Sequence, residues 1–158
     1  MKRIIAALLL LTAFSASAAS PRATGLPEAD VRALVALADL TDVYWTNKDA
    51  AALTSIYTAD GHNRILGMPV DLRGQKEILA FFTRSFSAPR AAGLRHRTVV
   101  HEVQQIAPGI AAVDGSVYLE SVEGEKVTLV RKFSMNVVVV KEGGAWKVRL
   151  NRVRVEPA

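Results

Sequence analysis

His62, His96 and His101 are the side chains of this sequence best suited to move a proton near neutral pH. The chain contains no cysteine, which excludes thiolate nucleophiles, disulfides and thiolate metal ligands. His101 is bracketed by Val99, Val100 and Val103, so it is either a hydrogen-bonded, half-buried core histidine or a general acid/base in a pocket. His96 and His101 are five apart on one strand and point to opposite faces, so they cannot jointly chelate a metal from it. His62 follows a glycine on another segment, and there is no HExxH helix pair, no phosphate-cradling glycine loop and no nucleophile elbow. No metal or other cofactor is expected. Trp45, Tyr57, Phe81, Phe82, Phe86 and Tyr118 are of the type that lines an apolar cavity for a flat hydrophobic ligand, although helical spacing makes them core residues first.

Those side chains must be positioned by helices followed by strands. Val31, Leu34, Val35, Ala38, Thr41 and Trp45 recur at three-to-four spacing behind Pro27, Glu28 and Asp30, which predicts a helix of about five turns with one apolar stripe. Asp49 can cap a second helix in which Leu53, Ile56 and Tyr57 share a face, closed by Asp60-Gly61. His62 to Leu66 is a short strand, Gly67-Met68-Pro69 a turn, and Ile78, Leu79, Phe82 and Phe86 mark a third helix after Gly74. Four long strands then alternate with turns at Pro108-Gly109, Glu123-Gly124-Glu125 and Gly143-Gly144, which implies an antiparallel meander. The valine run Val137 to Val140 suggests a strand covered on both faces, by helices on one side and by a partner subunit on the other. The fold class is α+β, three N-terminal helices packed in a curved antiparallel sheet.

The 158 residues, half of them hydrophobic, suffice for one domain. Lys2 and Arg3, the apolar run Ile4 to Leu11 and Ala16-Ser17-Ala18 have the three parts of a secretory signal peptide. Residues 1–19 are therefore expected to be removed, leaving a single domain over 20–158 that is periplasmic or secreted, with no membrane span. Without Lys2 and Arg3 the net charge falls from +5 to +3, too mild for a nucleic-acid binder. The basic residues at Arg90, Arg95, His96 and Arg97 and at Lys147, Arg149, Arg152 and Arg154 read as solvated sheet face or, alternatively, as a surface for an anion.

Trp45, Asp49, Tyr57, Asp60, Gly74 and Ile78, with Gly109-Ile110-Ala111-Ala112-Val113 and Gly143-Gly144-Ala145-Trp146-Lys147-Val148, resemble the nuclear transport factor 2-like superfamily in its SnoaL-like branch. The resemblance spans the mature chain. It implies a cystatin-like cone, with the sheet wrapped around the first helix, a pocket at the open end and a homodimer through the outer sheet face. The superfamily includes ketosteroid isomerases, polyketide cyclases, epoxide hydrolases and dehydratases as well as members without catalysis, so fold does not fix function.

Against the ketosteroid isomerase pattern, the catalytic base falls on Ile65, the oxyanion-donating tyrosine near Thr41 and the protonated acid near Asn136. None matches, although the Asn136 amide could donate to a carbonyl in a dry site. The epoxide hydrolase arrangement would draw on Arg95, Arg97, Glu102 and Asp114, but strict alternation sets Glu102 on the face opposite the arginines. Three readings follow. The first is an exported domain binding a small hydrophobic organic molecule without catalysis, lined by Trp45, Tyr57, Asn63, Ile65, Phe82, Phe86 and Tyr118. The second is a small cyclase, isomerase or hydrolase using His101 with Asn136 or Asn63, and the third is a dimerisation module without ligand.

Overall fold

The computed structural model describes residues 20–157, and the expected signal segment, residues 1–19, lies outside them. Helix α1 (Glu28–Thr46) starts after Pro27, and its stripe buries Leu34 with Val31, Leu37, Tyr44 and Trp45 packed beside it. Asp49 caps α2 (Ala50–Ser55) by accepting from the Ala52 amide at 2.9 Å.

The second helix is shorter than its apolar spacing predicts. It ends at Ser55, and Tyr57 opens strand β2 (Tyr57–Leu66) instead of sharing a helical face with Leu53 and Ile56. Tertiary pairing overrides periodicity here, because the Val148 amide donates to Ile56 O at 2.9 Å and Tyr57 pairs with Val148. Asp60-Gly61 therefore lies within β2, where the register shifts between Tyr57 and His62. Two short strands are additions to the expected order: β1 (Arg22–Thr24), ahead of α1, and β3 (Val70–Arg73), just before α3 (Gly74–Ser87).

The meander consists of β4 (Leu94–Ala107), β5 (Ile110–Glu123), β6 (Lys126–Glu142) and β7 (Ala145–Val155). The seven strands form one sheet in the order β1-β4-β5-β6-β7-β2-β3. It is mixed, not antiparallel throughout, because β2 runs parallel to β7 and β1 parallel to β4. Tight turns force antiparallel neighbours within the meander, whereas β2 meets β7 only after the long route through α3. Among the described residues no helix is long and apolar enough to cross a membrane.

Register shifts between Val100 and Glu102, between Leu119 and Glu120 and between Val138 and Val139 bend the sheet. The first also resets the alternation, so Glu102 pairs with Asp114 on the outer face, the face that carries Arg95 and Arg97. Ile78 and Phe82 of α3, Leu53 of α2 and Leu34 of α1 share one core with Val103, Val113, Val137 and Val139 of the sheet's inner face. Val137 and Val139 are buried, while Val138 and Val140 are only half-buried, so within one chain the valine run has one covered face.

On the outer face Glu120, 6% exposed, is held by both Arg95 (2.6 Å) and Arg97 (2.9 Å). Burial would raise its carboxyl, but the two guanidinium groups outweigh burial and hold it below its ordinary 4.5. A carboxyl lowered on folding stabilises the protein above its unfolded value and loses that contribution as pH falls through the folded one. Glu120→Gln is expected to cost about 1–2 kcal/mol at neutral pH, discounted because both arginines are part-exposed. Urea titrations across the acid range should find the gap between the two proteins closing below the ordinary carboxylate pKa. A constant gap would sink the assignment.

Candidate functional site

The concave side of the sheet and the three helices enclose a cavity of about 590 Å³. Its walls are mainly aliphatic and aromatic: Leu34, Leu37 and Trp45 from α1, Phe81, Phe82 and Phe86 from α3, and Val113, Val117, Val137, Val139 and Val148 from the sheet. Trp45 and Phe86 meet edge to face at 5.4 Å, and Phe82 stacks on Phe86 at 5.5 Å. These rings form one wall and leave the volume beside them open.

Of the residues singled out by sequence, Trp45, Tyr57, Asn63, Ile65, Phe82 and Phe86 line this cavity. Tyr118, His101 and Asn136 do not, and the pleat explains why. Along β5 the inward positions are Val113, Val117 and Leu119, so Tyr118 faces outward with the Arg97 guanidinium 4.1 Å from its ring centre. On β6, Met135 and Val137 point inward, and Asn136 is exposed outside, donating to Asp114 at 2.8 Å. His101 is exposed beside the β4 bulge, its Nε2 3.0 Å from Ser116 Oγ. The proposed His101–Asn136 chemistry is thus corrected: neither group reaches the cavity. Arg95 and Arg97 are likewise occupied on the outer face by Glu120, so these two build no arginine–carboxylate water site inside. Among the described residues no cluster of three or more histidines and carboxylates suits a metal ion.

The cavity has two hydrogen-bonded polar ends, and two basic side chains, Arg90 and Arg131, also line it. Near its opening, His96 lines the wall and its Nδ1 lies 2.7 Å from Asp42 Oδ1, on α1. The same carboxylate accepts from Thr98 Oγ1 and Thr98 N, both at 2.7 Å. An ionised carboxylate only accepts, so Nδ1 carries its proton toward Asp42. Trp45 lies against the imidazole at 5.3 Å, and no group among the described residues hydrogen-bonds Nε2. Lys48, a non-glycine residue at φ +60, donates from Nζ to Leu94 O at 2.7 Å and covers Trp45 at 3.9 Å. Burial lowers the Lys48 ammonium from its ordinary value. Asp42, Thr46 and Lys48 thus stitch the C-terminal end of α1 to the first residues of β4.

The deep end holds Tyr57, Asn63 and Asn151. Asn151 Nδ2 donates to Asn63 Oδ1 at 3.1 Å and to Tyr57 Oη at 3.4 Å. Burial pushes the Tyr57 phenol up to about 12. The sequence reading passed over Asp42, Thr98 and Asn151. Asp42 did leave a trace: it is an acid near a helix C-terminus, where the dipole disfavours it, one turn from Trp45. Asn151 left none, since an asparagine among alternating valines and arginines resembles any exposed strand position.

No protein-family model matches the chain, and no curated protein matches it. Solved structures do. A domain of unknown function with a cystatin-like fold from Nostoc punctiforme is similar with a TM-score of 0.72 at 17% identity, over 84% of this chain and 81% of that one. A ketosteroid isomerase-like protein from Erwinia carotovora atroseptica is similar at 0.67 and 17% identity, over 84% and 100%. An NTF2-like protein with a cystatin-like fold from Novosphingobium aromaticivorans gives 0.66 and 14%, over 80% and 82%. The chain has the NTF2-like, cystatin-like fold, and at these identities the likeness carries fold and not activity.

Proposed function

We propose that this NTF2-like domain is an exported protein that binds a small, largely hydrophobic organic molecule in its cavity. The observation that carries the reading is the 590 Å³ volume, apolar on most sides with a few convergent polar groups, the usual make-up of a small-molecule site. It favours binding over a ligand-free dimerisation module, because Trp45, Phe82 and Phe86 leave the space open. Pairing with a second copy through the outer face is part of the same proposal. Val127 and Leu129 there are 47% and 55% exposed, and light scattering on the mature protein tests it. Screening the protein against steroids, polyketides and aromatic acids by thermal shift tests the binding. A ligand at a hundredfold excess over its Kd is expected to raise Tm by about 5–10 °C. No shift across the three classes would remove the proposal.

A second reading rests on the Asp42–His96 pair, which gives a cavity-lining imidazole a fixed orientation with Nε2 unengaged. That geometry suits proton transfer to or from a bound ligand. Cavity ligands with an acidic C–H bond, incubated in heavy water, should then take up deuterium faster with the protein than without it. Equal rates would leave the cavity a binding site only.

A further inference from the structure

We infer that the deep end of the cavity recognises an uncharged head group that both donates and accepts a hydrogen bond, a hydroxyl or a primary carboxamide, on an otherwise apolar ligand. This rests on the cavity being a binding site and adds the direction and chemistry of what enters it. Asn151 Oδ1 is buried and has no hydrogen-bond partner among the described residues. Buried polar atoms are almost always paired, so an orphan acceptor on a cavity-lining residue marks a place where a donor belongs. Asn63, 3% exposed, spends its Oδ1 on Asn151 and makes no hydrogen bond through Nδ2 among the described residues. One acceptor and one amide donor are thus left over, on paired strand positions Asn63 and Asn151.

The count does not depend on how the two amides are turned. If both are rotated, Asn63 Nδ2 and Tyr57 Oη donate to Asn151 Oδ1, and the remainder becomes a donor on Asn151 and an acceptor on Asn63. Either way the complementary ligand group must offer both functions. A carboxylate offers no donor and an ammonium no acceptor, and each would be stripped of water among Val137, Val148 and Ile65 without an opposite charge at the deep end. An alkyl or aryl edge alone would leave both amide groups unpaired. The ligand therefore enters polar end first, with its apolar body against the ring wall.

The test uses four probes of one shape: naphthol, naphthamide, naphthalene and naphthoate, titrated into the mature protein near neutral pH by calorimetry or by displacement of a fluorescent apolar dye. Naphthol and naphthamide are expected to bind about tenfold tighter than naphthalene and naphthoate. Asn151→Leu, close in shape, is expected to erase that preference, with naphthalene gaining as naphthol loses. Asn63→Leu serves as the second variant, and circular dichroism establishes that each is folded. If naphthalene binds as well as naphthol to the unaltered protein, the head-group inference fails while the cavity remains a binding site. If the preference survives in both variants, the recognising groups lie elsewhere and the inference fails. If the dye and all four probes fail to bind, the binding reading fails with it.

Discussion

Asp42→Asn is expected to lose about 2–4 kcal/mol of stability and, if the cavity supports proton transfer, to slow it about 10²–10⁴-fold. Three donors converge on this carboxylate: the Thr98 amide, the Thr98 hydroxyl and His96 Nδ1. An asparagine has one acceptor oxygen and an NH₂ that must point the other way, donor against donor at one of those contacts. The least costly relief is for His96 to change tautomer and accept at Nδ1, which places the proton on Nε2 and removes the lone pair a base needs. The stability loss follows because these bonds hold α1 onto β4 beside Thr46 and Lys48, and Asp42 is only part-buried, so the figure sits below that of a fully buried pair. Urea unfolding reads the first effect and nitrogen NMR of the imidazole the second. An Asp42→Asn protein with unchanged unfolding midpoint and unchanged His96 tautomer would show that the contact orients nothing.

What could be read without coordinates follows the periodicity of the elements. The stripe of α1 and the four turn-bounded strands carry their period over many residues, and each element stands where expected. Short segments were less legible: Leu53, Ile56 and Tyr57 have helical spacing, but the chain leaves the helix at Ile56 because β7 offers Tyr57 a partner. The candidate site was half legible. Aromatic and aliphatic lining residues announce themselves by type, whereas Asp42–His96 pairs groups 54 positions apart that only docking of α1 on β4 brings together. His101 and Asn136 were misplaced for a simpler reason. A strand's alternation says which residues share a face but not which face is concave, and the bulge at Val100 to Glu102 breaks even the alternation.

That curvature is itself open to test, and Gly115→Ala is expected to cost about 3 kcal/mol, toward the upper end for overpacking. Gly115 sits on the inner side of β5, paired with Val100 at the β4 bulge and with Met135 of β6. A methyl group there would lie 2.4 Å from Val99 O and 2.8 Å from Met135 Cε. The methionine can swing aside, being unbranched and flexible. The carbonyl cannot, because Val99 is a member of the β4–β5 ladder opposite Ser116. The strands must therefore part where the sheet bends, and the same stretch of β4 presents Thr98 and His96 to the cavity. Glycine at this point lets two backbones approach closely enough for the sheet to curl, so fold and site depend on one missing Cβ. The double variant Gly115→Ala with Met135→Ala separates the two contacts. If the carbonyl clash governs, removing the methionine recovers none of the lost stability and adds its own cavity penalty. Recovery in the double variant would instead make Met135 the constraint, and the bend would owe its shape to side-chain packing and not to the close approach of β4 and β5.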